Sequence, residues 1–275
     1  MMSKQSVNKE ALSVKPYQQT ADRIRALINE HGYEPGVRLP SERELADLLN
    51  VSRPTLREAL IALEVEGVVQ IRMGSGVYLS RPRKVQATAP KKAAKLKADM
   101  SPFQLIEARR LVESEIAALA AVSRTPEHVR QMREVIKDME ARAKAGKDPL
   151  VADHKFHVLL AQASGNQVMA NLADQLFAAR LGVLFSRLST YFDTGNSWNE
   201  AIREHKAIVK AIHAQDPDAA REAMRTHMDE AYRRFSASWD QAKERNGDRK
   251  GSDGTWCRGA GLAQPLVGSI HISVG

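Results

Sequence analysis

Four side chains in the second half of the chain have the types and spacing of a metal-binding group. Asp153 and His157 are four residues apart and share one face of a predicted helix, and His205 and His227 lie on two later predicted helices. One carboxylate and three imidazoles are a donor set for a divalent ion, zinc first, with nickel or manganese as alternatives. Spacing alone leaves open that these are hydrogen-bonded core histidines and that Asp153 belongs to the charge pattern of a helix start.

A second group of polar residues, Ser52, Arg53, Thr55 and Arg57, stands at the start of a predicted helix in the first third of the chain. Hydroxyl and guanidinium groups beside the free backbone N–H groups of a helix N-terminus suit contacts with phosphates and guanine edges. The simpler interpretation is a well-capped helix start with solvated arginines.

The segment 38–79 predicts the elements that hold this second group. Ser41 and Glu44 have the spacing of a capping box, and Ser52 is a good cap for the helix that follows. Two short β-prone runs within 68–79 then flank a glycine-rich turn. The pattern predicts a helix-turn-helix followed by a hairpin wing, which is a shape that enters a DNA groove.

Residues 101–244 read as helix throughout, because Ser, Thr or Asp followed by Pro repeatedly marks a helix start and no strand pattern competes. We predict six helices over residues 102–122, 126–145, 149–163, 166–192, 197–214 and 217–243. The predicted fold class is mainly α, with an N-terminal winged helix-turn-helix domain and a C-terminal all-α helical bundle. The predicted units are the DNA-binding domain 1–80, a basic linker 81–100, the bundle 101–244 and a disordered tail 245–275.

Charge supports this division. The 275 residues carry a net charge of +8, and residues 1–100 hold 17 basic side chains against 11 acidic ones, whereas residues 101–244 hold 20 of each. Positive charge thus lies with the predicted DNA-binding half, as phosphate neutralisation requires. The single cysteine excludes an intrachain disulfide, and no apolar run is long enough for a membrane span or signal peptide. We expect a cytoplasmic protein, nucleoid-associated when bound to DNA, with no membrane partner.

Several short runs carry a resemblance to a known family: Pro35–Ala46, Val51–Arg53, Leu56–Leu60 and Gly74–Gly76. Through them, residues 17–79 resemble the winged-helix domain of GntR-type transcriptional regulators. The resemblance implies operator contacts from the helix-turn-helix and the wing, which here fall on Arg43, Ser52, Arg53, Thr55, Arg57, Arg72 and Gly74.

Other runs, among them Glu107–Arg109, Leu111–Glu113 and Asp153–His157, make residues 101–240 similar to the FCD domain, the effector-binding domain of the FadR-like GntR branch. The resemblance implies metal ligands at Asp153, His157, His205 and His227, and it implies an anionic effector paired with Arg109. The alternative for Arg109 is a salt bridge within the domain. The presence of the ligand set argues against a fatty-acyl effector and for a small organic or sugar acid. The segments 15–19 and 59–67 are similar to regulators of hexuronate metabolism.

Together these observations predict a homodimeric repressor that contains a metal, binds a palindromic operator in double-stranded DNA and is released by a small carboxylate. One alternative is a metal sensor that responds to the ion itself. Another is a metalloenzyme fused to a DNA-binding module, although no nucleophile or general base stands out.

Overall fold

The computed structural model describes residues 15–81, 100–193 and 195–237. The predicted tail, and all but the two end residues of the predicted linker, lie outside these ranges. In chain order the elements are α1 (Pro16–Glu30), α2 (Glu42–Leu49), α3 (Arg53–Val65), β1 (Val69–Arg72), β2 (Gly76–Leu79), α4 (Pro102–Ser123), α5 (Pro126–Lys144), α6 (Leu150–Ala163), α7 (Gln167–Ala178), α8 (Val183–Phe192), α9 (Gly195–His213) and α10 (Pro217–Ser236).

The N-terminal elements confirm the predicted winged helix-turn-helix. Ser41 Oγ accepts from Glu44 N while the Glu44 carboxylate accepts from Ser41 N, which completes the capping box of α2. Asn50 takes a left-handed conformation (φ 48°) that ends α2, and Ser52 then caps α3. The antiparallel strands β1 and β2 form the wing hairpin, with Arg72 opposite Gly76 at its tip.

The second half is an all-α bundle, as predicted, but one of the predicted helices is two separate helices in the structure. The predicted helix 166–192 is two helices, α7 and α8, which are separated by a single 3-10 turn at Ala179–Leu181 and bent by 72°. Gly182 stops the helix because its backbone is extended (φ −61°, ψ 159°). The last helix, predicted to reach residue 243, ends at Ser236 within the described residues.

Two apolar clusters stabilise the described fold. One lies inside the bundle and includes Phe156 and Leu160 of α6. The other continues from the winged helix into the bundle, so that Leu60 of α3 belongs to the same cluster as Leu184 and Phe235. Eight consecutive residues of α3, from Leu56 to Leu63, are buried, because one face of the helix packs on α1 and the other packs on α8. Helix α3, which is expected to read DNA and is called the reading helix below, therefore packs on its own domain on one side and on the bundle on the other.

Among the described helices, none is alone long and apolar enough to cross a membrane. One bent pair, Gln167–Leu181 with Val183–Phe192, meets the length and composition requirements when taken together.

Candidate metal centre and operator-reading surface

Three histidines from three helices meet inside the bundle. His157 lies on α6, His205 on α9 and His227 on α10, and each is at most 5% exposed. One ring nitrogen from each can be chosen so that all three lie within 4.8 Å of one another, and the Nε2 atoms of His157 and His205 are 3.5 Å apart. Two imidazole nitrogens on one tetrahedral zinc ion lie roughly 3.4 Å apart, given Zn–N distances of about 2.0–2.1 Å. The spacing of the histidines therefore fits a shared ion.

Asp153 supplies the carboxylate expected beside them. Its Oδ1 atom lies 3.2 Å from His205 Nε2 and 3.6 Å from His157 Nε2. This oxygen is buried and has no hydrogen-bond partner among the described residues, which is costly for a carboxylate unless a cation completes its environment. The fold thus brings together the four residues that the sequence singled out, as an N₃O donor set suited to a divalent ion.

The Glu113 side chain orients the first of the histidines. Its Oε2 atom lies 2.5 Å from His157 Nδ1, while its Oε1 accepts from Arg109 Nε at 2.6 Å. Because Nδ1 faces the carboxylate, Nε2 of His157 is left to face the cluster. Carboxylate partners of this kind fix the ring and make a histidine a better ligand.

Glu204 plays the same part for His227. Its Oε2 atom is 2.7 Å from His227 Nδ1, and both of its oxygens accept from Arg234, at 2.6 and 3.1 Å. Neither Glu113 nor Glu204 was predicted as a site residue. Glu113 belongs to a quoted motif and Glu204 directly precedes His205, but only the fold shows which histidine each one contacts.

The protonation of Asp153, His205 and His227 also suits a metal. Burial, with the neighbouring charge of His205, lowers the pKa of His227 to about 3, and burial lowers the pKa of His205 as well. Burial would also lower the pKa of His157, but Glu113 and Asp153 together outweigh it and raise that pKa, which favours the charged form of this histidine. Burial opposes ionisation of Asp153, yet its contacts with the histidines and Arg180 hold its pKa well below the usual range. Neutral imidazoles and an ionised carboxylate are the forms that bind metals.

A pocket opens directly beside this cluster. Asp153 and His227 form part of its wall, and three arginines, Arg109, Arg180 and Arg234, line it as well. Arg109 lines the pocket and forms a buried salt bridge with Glu113, which is the alternative that the sequence left open, and its pairing with an effector stays a prediction. Guanidinium groups beside a metal-type donor set are suited to binding an anionic ligand.

The residues predicted to contact the operator divide into exposed and buried ones. Arg43 is 79% exposed in its side chain, and Ser52 and Arg53 are exposed at the start of α3. Thr55 is half-buried, with its Oγ1 atom 2.8 Å from Ser52 Oγ. In the wing, Arg72 is exposed and its guanidinium lies 4.2 Å from the centroid of the Tyr78 ring. Gly74, at the hairpin tip, has a φ of +68°, which only glycine adopts readily.

The structure contradicts the assignment of Arg57 to the operator surface. This side chain is only 1% exposed, donates from Nη2 to Glu42 Oε1 at 2.6 Å and donates from Nη1 to the Phe235 carbonyl oxygen at 2.5 Å. It thus joins α2 to the end of α10 and does not reach a groove in this arrangement. The sequence prediction was wrong because the local sequence around a buried arginine at a helix start is the same as that around a solvated one. Only the partners from distant parts of the chain distinguish the two.

Two further polar contacts cross between the halves, and neither was predicted. Glu58 Oε1 accepts from Ser101 Oγ at 2.6 Å and from the backbone N–H of Phe103 at 3.1 Å. Glu64 Oε2 accepts from Arg187 Nε at 2.9 Å and from the Tyr191 hydroxyl, both on α8. Both glutamates lie on α3, so the reading helix is held by polar contacts as well as by apolar packing.

Comparison with known proteins agrees with this architecture. Residues 16–79 match the family described as "Bacterial regulatory proteins, gntR family", and residues 104–230 match the FCD domain. The chain is 36% identical to the Uxu operon transcriptional regulator of Escherichia coli K12, covering 80% of this chain and 87% of that protein. It is 34% identical to the Exu regulon transcriptional regulator of the same strain, covering 78% and 81%. Among solved structures it is similar to a GntR protein of Streptococcus agalactiae, with 32% identity, a TM-score of 0.43, and coverage of 79% of this chain and 99% of that one.

A winged helix joined to a helical bundle defines a two-domain DNA-binding protein. The chain belongs to the GntR family of bacterial transcriptional regulators, in the branch that carries an FCD domain. It is accordingly a transcriptional regulator and not an enzyme.

Proposed function

We propose that this regulator is a homodimeric repressor whose operator binding is controlled by a small carboxylate bound in the bundle. The effector would be a sugar acid such as a hexuronate, or another organic acid. It would bind beside a divalent metal, zinc first among the candidates, held by Asp153, His157, His205 and His227. The observation that carries the proposal is the pocket that is lined by Asp153 and His227 of this cluster together with three arginine side chains.

The chemistry of the site supports an anionic effector of modest size. A divalent ion in such a site supplies positive charge and open positions for ligand oxygens. Arginine forks match the geometry of a carboxylate, and burial strengthens their attraction to it. The similarity to regulators named for the Uxu operon and the Exu regulon, with the resemblance to regulators of hexuronate metabolism, favours a hexuronate.

Operator binding is assigned to the predicted residues that are not buried, which are Arg43, Ser52, Arg53 and Thr55 of the helix-turn-helix and Arg72 and Gly74 of the wing. A two-fold dimer would place two such surfaces on a palindromic site. Leu111, Leu119 and Val122 leave α4 with an apolar exposed strip, at 68%, 44% and 63% exposure, which suits contact with a second copy.

The test is a ligand screen on the zinc-loaded protein, followed by DNA binding. Hexuronates, aldonates and short hydroxy acids are screened by thermal shift, since a ligand of the folded state raises the melting temperature. Those that stabilise the protein are then added to the complex with operator DNA selected from random palindromes. Release of the DNA by a carboxylate supports the proposal. If the DNA is released when zinc alone is added, and no acid has any effect, the protein is instead a metal sensor.

The metal site is tested separately with a matched pair of histidine variants. His205→Ala removes a ligand from the cluster and should lower the zinc content and the effector response. His154→Ala removes a histidine from the same region that is 33% exposed and paired with Asp174 at 2.7 Å, and it should leave the zinc content unchanged. Full zinc occupancy of His205→Ala by elemental analysis would refute the ligand assignment.

A further inference from the structure

The three arginines that line the pocket differ in how fully their guanidinium groups are used. Arg109 gives its Nε and Nη2 atoms to Glu113, at 2.6 and 3.4 Å. Arg234 gives both of its terminal nitrogens to Glu204. Each of these two is therefore committed to a glutamate that in turn supports a histidine of the cluster. Both therefore already hold a protein carboxylate through two of their nitrogens.

Arg180 is different. Its Nη1 atom donates to Asp153 Oδ2 at 2.6 Å, but its Nη2 atom is 3.9 Å from the nearest oxygen of Asp193, which is beyond hydrogen-bond distance. Its Nε atom is buried and has no hydrogen-bond partner among the described residues. A buried donor of this kind is costly to leave unsatisfied, which points to a partner that the chain itself does not provide.

The open nitrogens form the edge that arginines in this protein use for carboxylates. Arg109, Arg110 and Arg130 each bind an acidic side chain through Nε and Nη2 together. Two parallel N–H groups on this edge match the two oxygens of a carboxylate. Arg180 lines the pocket, and neither its Nε nor its Nη2 is hydrogen-bonded to a glutamate or aspartate among the described residues.

The surroundings hold this guanidinium firmly beside the metal-binding residues. It lies 5.2 Å from the centroid of the Phe185 ring, 5.5 Å from that of Phe177 and 5.9 Å from that of Trp198. Aromatic faces attract a cation and exclude water, and the contact becomes stronger when the cation is desolvated. Asp153 links the two sites, since its Oδ2 holds Arg180 while its Oδ1 faces the histidines.

We propose that Arg180 binds the carboxylate of the effector through its Nε and Nη2 edge, and that Arg109 instead positions Glu113 and His157. The proposal rests on the function proposed above and names the residue that recognises its ligand. Arg180 lies in the 3-10 turn at the bend between α7 and α8. Helix α8 contacts the reading helix through Arg187 and Glu64, so a ligand on Arg180 acts next to the element that touches the DNA-binding domain.

The experiment compares ligand charge with side-chain geometry on the zinc-loaded protein. Binding of D-glucuronate and of its neutral analogue D-glucuronamide is measured by calorimetry for the wild type, Arg180→Gln and Arg180→Lys. Lysine lacks the pair of parallel N–H groups of arginine but keeps a positive charge beside Asp153. The retained charge makes the Arg180→Lys variant more certain to fold than Arg180→Gln. Arg130→Gln, on an arginine whose side chain is 60% exposed, is the control for loss of one positive charge.

We expect the wild type and Arg130→Gln to prefer glucuronate over the amide by at least tenfold. Both Arg180 variants should lose most of that preference and bind glucuronate at least tenfold more weakly, with their zinc content retained. A preference that persists in both Arg180 variants would overturn the assignment of Arg180. The wild-type protein could also fail to bind glucuronate and every other acid of the screen. That result would overturn both the proposed function and the assignment of Arg180.

Discussion

Glu113 offers the sharpest test of how the histidine cluster is built. Its side chain is 1% exposed and lies between Arg109 and His157. The change Glu113→Gln preserves volume but removes the charge that both partners contact. Two separate effects are expected, one on the stability of the fold and one on the affinity for metal.

The stability effect follows from the burial of Arg109, which is 3% exposed. Removing one partner of a buried ion pair leaves a buried charge unsatisfied, which costs about 3–5 kcal/mol. The exposed pair between Glu127 and Arg130, with side chains 50% and 60% exposed, is the control. Glu127→Gln should leave the free energy of unfolding nearly unchanged, because water already screens that pair. Urea unfolding in the presence of a chelator measures both without a contribution from bound metal.

The metal effect follows from the contact between Glu113 and His157. Loss of such an outer partner typically lowers metal affinity 10–100-fold, which competition with a zinc chelator can measure. The double variant Arg109→Met with Glu113→Gln should recover stability, since no charge is left unpaired, without recovering zinc affinity. Zinc affinity of Glu113→Gln equal to that of the wild type would refute the role of Glu113 in orienting His157.

Three further changes test the contacts around the reading helix. Burial raises the pKa of Glu58 from 4.5 to about 7, so the folded chain binds a proton that the unfolded chain has released. This difference in proton binding adds about 3 kcal/mol to the free energy of unfolding below pH 4.5, and the contribution is lost as the pH rises through 7. Urea unfolding of Glu58→Gln should lack this pH dependence. Arg57→Ala should lower the free energy of unfolding by about 3–5 kcal/mol in the same assay, because it breaks the buried ion pair with Glu42. Arg53→Ala should weaken operator binding by about 1–3 kcal/mol in a mobility-shift titration and leave the unfolding midpoint unchanged, and equal binding would refute its role in base recognition.

Local signals in the sequence predicted most of the fold because helix ends and hairpins depend on residues close together in the chain. The capping box of Ser41 and Glu44 and the caps at Ser52 and Ser101 are all formed. The break at Gly182 was missed, since apolar residues continue on both sides of it and an isolated glycine is tolerated within many helices.

The site was only partly predictable for the opposite reason. The spacing of Asp153 and His157 indicated a shared helix face, but the approach of His205 and His227 depends on how three helices pack. The same is true of Arg57, whose partners Glu42 and Phe235 are 15 and 178 residues away in sequence. No local pattern distinguishes such an arginine from one that faces DNA.

Two helices join the candidate metal centre to the reading helix directly, which bears on how a ligand could control DNA binding. Helix α10 carries His227 in the cluster and, two turns later, the Phe235 carbonyl that holds Arg57. Helix α8 begins beside Arg180 and carries Arg187, which holds Glu64. Packed helices shift as rigid bodies and do not deform gradually. A ligand that favours a different position of α8 or α10 by only about 1–3 kcal/mol would therefore suffice to couple the pocket to the reading surface.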